Sequence, residues 1–201
     1  MSALVELCEE MIHCTRCPLH RSRHNAVPGE GREDAEILFI GEAPGFHEDR
    51  QGRPFVGAAG RFLEELLASI GLRREDVYIA NVLKCRPPGN RDPLASEIET
   101  CKPFLDRQIE LIKPKLIVTL GRYSMVRFFP DAHISRVHGL PRRVGNVICY
   151  PMYHPAAALH QPKFRKAIEE DMLKIPQILA EASVLGEETE PPQMTEQLSF
   201  F

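Results

Sequence analysis

Apolar residues recur along this chain in two alternating rhythms. Leu4, Leu7, Cys8, Met11 and Ile12 stand at helical spacing behind Ser2, a residue suited to cap a first turn, and predict an amphipathic helix. A basic stretch from Arg16 to His24 follows. The run Glu36-Ile37-Leu38-Phe39-Ile40 is short, apolar and cut off by Gly41-Glu42-Ala43-Pro44-Gly45, the pattern of a buried strand feeding a tight loop. Phe62, Leu63, Leu66, Leu67 and Ile70 mark a second amphipathic helix, closed by Gly71. The alternation continues with a strand over residues 77–83, which runs into the loop 84–90. Ser96 and Glu99 have the spacing of a capping box, and Leu105, Ile109 and Ile112 carry a helix to Pro114, with Pro103 predicting a break or restart. A third strand over 116–120, a short helix over 121–129 and a fourth strand over 147–150 come next. A helix over about 164–182 closes the pattern.

Strands alternating with helices predict right-handed crossovers and an α/β fold of three layers, α/β/α, around a central four-stranded, mostly parallel sheet. Ligands of such folds sit outside the carboxyl ends of the strands. Three of the four strand-end loops are the least ordinary parts of the sequence: the one at Gly41, the one over 81–90, and Pro151-Met152-Tyr153-His154-Pro155. From Ser183 the chain turns rich in Pro and Glu. The expected organisation is therefore a folded domain over 1–182 and a flexible acidic tail over 183–201.

Composition narrows the class. With 43% hydrophobic and 26% charged residues, wholesale disorder and collagen-like structure are excluded, and 201 residues bury a core without disulfide staples. No apolar run approaches the roughly 20 residues of a membrane-spanning helix. The acidic, amphipathic N-terminus lacks the basic-then-apolar order of a secretion signal, so a cytoplasmic location is expected. In a reducing compartment the six cysteines call for metal binding, catalysis or packing. Cys14 and Cys17 form a C-x2-C pair, while Cys85 and Cys101 have fifteen residues between them. Four thiolates so placed suit an iron–sulfur cluster or a zinc ion, and four unrelated buried thiols are the plainer reading. Cys8 and Cys149 fall on apolar faces and read as core. No G-x-G-x-x-G follows the first strand, which argues against a dinucleotide-dependent redox enzyme.

Taken together, the motifs resemble those of the family 4 uracil-DNA glycosylases, the iron–sulfur branch of that superfamily. The resemblance rests on Cys14-x2-Cys17, Gly41-Glu42-Ala43-Pro44-Gly45, Gly52-Arg53-Pro54-Phe55-Val56-Gly57, Asn81-Val82-Leu83-Lys84-Cys85-Arg86-Pro87-Pro88, Cys101 and His154-Pro155-Ala156-Ala157, in the family's order and spacing. It implies the uracil-DNA glycosylase fold, a structural [4Fe-4S] cluster on Cys14, Cys17, Cys85 and Cys101, and uracil-containing DNA as substrate. It also implies release of uracil by hydrolysis of the N-glycosidic bond, the opening step of base-excision repair. The substrate base must leave the helical stack for a pocket that reads its edge. As the bond breaks, negative charge gathers on the carbonyl oxygens of uracil, so donors aimed at those oxygens do most of the work.

By the resemblance, Phe55 stacks on the uracil and His154 donates to its O2 as a neutral imidazole. The plainer readings are a core phenylalanine anchoring its loop and a structural histidine beside proline. Asn81 carries a donor for O4 and an acceptor for N3–H, a pattern cytosine does not satisfy. Backbone N–H groups of the loop from Gly41 through Glu42 and Ala43 add donors to the base. In the superfamily's best-known branch an aspartate positions the attacking water where this chain has Ala43, and a tyrosine excludes thymine where it has Gly45. The general base and the rejection of the 5-methyl group are thus left open. Glu42 and Glu48 are the nearby carboxylates, with Asp49 the third. Lys84 is the one lysine in these motifs and is assigned to support rather than to nucleophilic attack, which makes the expected enzyme monofunctional.

Arg86 and Arg91, and the cluster Arg136, His138, Arg142 and Arg143, offer contacts to DNA phosphates or simply a solvated face. Leu159 is either a wedge for the gap left by the extruded base or an ordinary helix-start leucine. At the far end, Gln197, Leu198, Phe200 and Phe201 resemble a sliding-clamp-binding peptide, the alternative being side chains folded back on the body. A monomer working on the nucleoid is expected. The formal charge of −3 also divides. Five glutamates (181, 187, 188, 190 and 196) and no Lys or Arg lie beyond Lys174, so removing their −5 leaves +2 for the body, a sign compatible with DNA.

Overall fold

The periodicities become a layered structure in which each strand delivers its C-terminal loop to one edge. In the computed structural model, which describes residues 2–187, the elements follow in the order α1 (Ala3–Ile12), β1 (Glu30–Gly31), β2 (Ile37–Gly41), α2 (Phe46–Gln51), α3 (Ala58–Ser69), β3 (Tyr78–Asn81), α4 (Ala95–Ile112) and β4 (Leu116–Leu120). There follow α5 (Arg122–Met125), α6 (Ile134–Val137), β5 (Arg142–Val144), β6 (Val147–Met152), α7 (Pro155–His160), α8 (Pro162–Met172) and α9 (Ile175–Glu187). Ser2 caps α1, its hydroxyl accepting from the Val5 N–H at 3.2 Å.

The sheet has the order β1-β3-β2-β4-β6-β5. Its four inner strands are mutually parallel, with Gly41 beside Asn81 at the carboxyl ends of β2 and β3. The expected four-stranded sheet is therefore the parallel core of a six-stranded one. The two added strands are antiparallel edges. With two and three residues, and polar or glycine positions among them, they are too short for apolar periodicity to reveal.

β2, β3 and β4 are buried along their whole length, as parallel strands covered on both faces must be. Alternate side chains supply two cores. Phe39, Ile79, Val118 and Tyr150 pack with α3, α8 and α9, while Leu38, Ile40, Ile117 and Cys149 pack with α1 and α4. That is the three-layer arrangement.

Three local expectations change. The cap of α4 belongs to Glu97, whose carboxylate accepts from the Leu94 N–H at 2.9 Å, and Ser96 with Glu99 plays no such part. α4 runs unbroken through Pro103, which lies on its exposed face where water can meet the carbonyl that proline leaves unpaired. The closing helix is two helices, α8 and α9, interrupted at Leu173 and Lys174, and α9 continues to Glu187, past the composition change at Ser183. The peptide Gln197, Leu198, Phe200 and Phe201 lies outside the described residues.

Candidate active site

The carboxyl ends of β2, β3 and β6 meet around a cavity of about 320 Å³. Its walls are Glu42, Ala43, Pro44 and Gly45 after β2, Asn81 with Pro87, Asn90 and Arg91 from β3 and its loop, Glu48 from α2, Phe55 from the α2–α3 connection, and His154 after β6. The first two loops are tied together, the Val82 N–H donating to Gly41 O and the Leu83 N–H to Glu42 O, each at 3.0 Å.

Asn81 is 2% exposed, and its Oδ1 is buried without a hydrogen-bond partner. A buried acceptor left in that state costs about 1–3 kcal/mol, so it marks a place where a donor is meant to arrive. Gly41 is required by the same close packing. A Cβ there would stand 2.3 Å from Asn81 Oδ1 and 2.7 Å from the Phe55 ring.

Phe55 adopts a left-handed backbone, φ 51°, which is strained for a residue with a side chain. Several contacts enforce it. Arg74 donates to Phe55 O at 2.8 Å and also to Pro54 O. Glu48 Oε1 accepts from the N–H groups of both Val56 and Gly57 at 2.9 Å. Gly60 lets the helix start close in, since a Cβ there would fall 1.8 Å from Phe55 O. The Phe55 ring stacks on His154, with centroids 5.5 Å apart and planes inclined by 26°.

His154 is the N-cap of α7, and its Nδ1 accepts from the Ala156 N–H at 3.1 Å. That bond leaves the proton of the neutral ring on Nε2. Burial pushes the histidine pKa down to about 4, with the Glu48 carboxylate opposing, so the ring is neutral near pH 7. Glu42 is half-buried and its pKa is raised, by burial first and by the Asp92 carboxylate second.

The cavity thus gathers Glu42, Ala43, Phe55, Asn81, His154 and Glu48, with Gly41 packed behind them. Glu48 is committed to the backbone of the Phe55 loop. Asp49 is buried away from the cavity, its carboxylate accepting from the His24 N–H at 2.8 Å. Arg91 lines the pocket, but its guanidinium pairs with Glu97 at 2.6 Å. Arg86 donates to Asn90 Oδ1 at 2.6 Å.

The second basic group is dispersed. His138 Nδ1 meets the buried Asp171 carboxylate at 2.6 Å, Arg142 lies over the Phe129 ring, and Arg136 and Arg143 are exposed. Leu159 on α7 is 48% exposed. Arg74 escapes sequence reading because it reaches back nineteen residues to Phe55 O. Gly60, three residues after Gly57, is the one missed position with a signal in the chain.

Cys14, Cys17, Cys85 and Cys101 line a second, smaller cavity together with Met11, Phe104, Arg23 and Lys84. Arg23 donates to Cys85 Sγ at 3.1 Å. Lys84 is fully buried, its ammonium donating to Asn81 O at 2.8 Å and to Gln108 Oε1 at 2.6 Å. Burial pushes the Cys85 thiol up to about 11 and raises Cys101 as well. Among the described residues no group of three or more His, Cys, Asp or Glu side chains is drawn together as a ready metal-ion site. The donor set nevertheless fits a group larger than one ion: four soft ligands share one cavity, with two cations beside them to offset thiolate charge. Cys8, 3.9 Å from the Tyr78 hydroxyl, and Cys149, buried in β6, lie outside it.

The profile of the Uracil DNA glycosylase superfamily matches residues 28–174. The chain is 51% identical over 185 residues to the type-4 uracil-DNA glycosylase of Sulfurisphaera tokodaii, covering 87% of this chain and 84% of that protein. It is 50% identical over 184 residues to the type-4 enzyme of Archaeoglobus fulgidus, covering 87% and 92%. With the type-4 enzyme of Thermotoga maritima it shares 47% over 178 residues, covering 85% and 92%.

Proposed function

Because this chain belongs to the uracil-DNA glycosylase superfamily, and within it to the type-4 enzymes, we propose that the strand-end cavity receives a uracil turned out of DNA. The activity is hydrolysis of the N-glycosyl bond of deoxyuridine, which frees uracil and leaves an abasic site. The observation that carries the assignment of residues is the unpartnered Asn81 Oδ1. Uracil N3–H satisfies it while the Asn81 amide donates to O4. Cytosine offers an acceptor at N3 and an amino group at C4, so it would leave buried groups of like polarity facing each other.

His154, its proton held on Nε2, donates to uracil O2 as negative charge develops there. A preorganised neutral donor stabilises the departing anion without giving up its proton. Phe55 supplies an apolar face for the base. Glu42, half-buried in the cavity wall, orients the attacking water and faces the cationic sugar. Glu48 is a positioning residue that holds the loop of Phe55. Cys14, Cys17, Cys85 and Cys101 would hold a [4Fe-4S] cluster, whose contribution when bound is a structural cross-link between the N-terminal segment and the β3 loop.

The deciding experiment is uracil release from oligonucleotides carrying uracil, cytosine, thymine or hypoxanthine, with iron and acid-labile sulfide measured on the same sample. Release from uracil, loss in Asn81→Ala and no release from cytosine are expected. Asn81→Ala with native activity would overturn the assignment. The tail residues Gln197, Leu198, Phe200 and Phe201 are proposed to bind a sliding clamp, because apolar anchors on a polar acidic segment have the character of a docking peptide. Deleting them should abolish clamp binding, and unchanged affinity would sink that idea. No helix among the described residues is long and apolar enough to cross a membrane. Monomeric action on DNA in the cytoplasm completes the proposal.

A further inference from the structure

Phe46 has no part in the chemistry above, yet it is 48% exposed directly beside Gly45, a wall of the base cavity. Two guanidinium groups lie over its ring, that of Arg86 at 5.2 Å from the centroid and that of Arg50 at 5.7 Å. Arg86 precedes Pro87, another wall of the cavity, and its Nε is bonded to Asn90, a third. The aromatic ring and its cations thus join the loop after β2 to the loop after β3 at the cavity mouth. Neither Arg50, which is exposed, nor Arg86, which is half-buried, forms an ion pair with a carboxylate among the described residues, so no acidic partner offsets their charge. The Glu42 carboxylate, which would repel a phosphate, is turned into the cavity and half-buried.

An exposed aromatic face beside uncompensated guanidinium groups has the chemistry of a single-stranded nucleotide site. The ring stacks a base of any identity, and the cations meet its phosphate. A uracil in the cavity remains joined to a nucleotide on either side, so the strand must pass this mouth.

We propose that Phe46, with Arg86 and Arg50, forms a second base subsite that stacks a nucleobase adjoining the extruded uracil. In a duplex that neighbour stays paired and stacked in the helix. In a single strand it is available to leave its neighbours at little cost, so the subsite favours single-stranded DNA. This inference rests on the uracil-release reading above.

Its test uses single-stranded oligonucleotides with 2-aminopurine placed on the 5′ or the 3′ side of a non-cleavable 2′-fluorinated deoxyuridine. The native protein should quench 2-aminopurine at one of the two positions. Phe46→Ala should lose the quenching, and Phe46→Trp should restore it. On cleavable substrates, Phe46→Ala should raise KM for the single strand about tenfold, the effect of losing one stacked base, with kcat within about twofold. KM for the duplex should change less than about threefold. Absence of quenching at both positions, or a KM change equal on single and double strands, would overturn the subsite. Failure of the native protein to release uracil from any substrate would instead overturn the preceding reading. The binding signal of the non-cleavable probe would still report on Phe46 by itself.

Discussion

The base pocket and the cysteine cavity hang from one strand, four residues apart at Asn81 and Cys85, yet they are built on opposite terms. The pocket is open and keeps polar groups unsatisfied: Asn81 Oδ1 is without a partner, and burial with the Asp92 charge raises Glu42. The cysteine cavity is walled by the buried side chains of Met11 and Phe104, and two cations attend its sulfur atoms. One site holds its needs in readiness for a ligand that comes and goes. The other, in the proposed reading, is arranged for an occupant that stays. Lys84 belongs to both, since its backbone N–H serves Cys101 and its ammonium holds the Asn81 carbonyl.

The contrast can be broken most forcefully by substituting one residue on each side. His154→Ala is expected to lower kcat about 10²–10³-fold, the usual effect of losing a donor to a developing anion. It should lower Tm by only about 2–4 °C, the cost of a lost helix cap. Cys101→Ser should reverse the balance, with iron lost and thermal stability reduced before any selective change in kcat. Equal effects of both variants on Tm and kcat, followed by calorimetry and steady-state assays, would erase the distinction.

Within the pocket, the two carboxylates should separate. Glu42→Gln is expected to cost about 100-fold in kcat, the low end for a group that handles the attacking water. Glu48→Gln keeps an acceptor for the Val56 and Gly57 N–H groups and should cost less than about tenfold. Lys84→Met tests the link between the sites. It leaves Asn81 O and Gln108 Oε1 without their donor, at about 1–3 kcal/mol in stability, and should reduce both uracil release and visible cluster absorbance.

The smallest effect is in pH. With the folded pKa of His154 near 4 and the ordinary value at 6.5, the unfolded chain binds the extra proton first as pH falls. The ring therefore leaves stability unchanged above about pH 6.5 and lowers it progressively toward pH 4. The Tm difference between the native protein and His154→Gln should narrow over that interval, and a constant difference would contradict a buried neutral ring.

Much of this was legible in the chain because apolar runs that end in glycine or proline mark buried strands and their loops. Ile37 to Ile40 and Leu116 to Leu120 needed nothing else. Strand ends place Asn81 and His154 without long-range information, but the roles of His154 and Phe55 came only from the resemblance to the family. What could not be read depends on contacts between segments. Glu48 looks like a candidate general base until the N–H groups eight and nine residues downstream are seen to occupy it. Arg91 looks like a phosphate ligand until Glu97 is found beside it. Edge strands of two or three residues carry too little pattern, and a proline on the exposed side of α4 gives the same signal as a real break.

The bond from the Ala156 N–H to His154 Nδ1 has a consequence for the population of enzyme molecules. A free imidazole divides itself between two tautomers, one of which, in the role proposed for His154, would turn a lone pair toward the base. Here the start of α7 selects one form before any DNA arrives. Binding is then not diluted by an incompetent fraction, and the whole sample meets its substrate in a single chemical state.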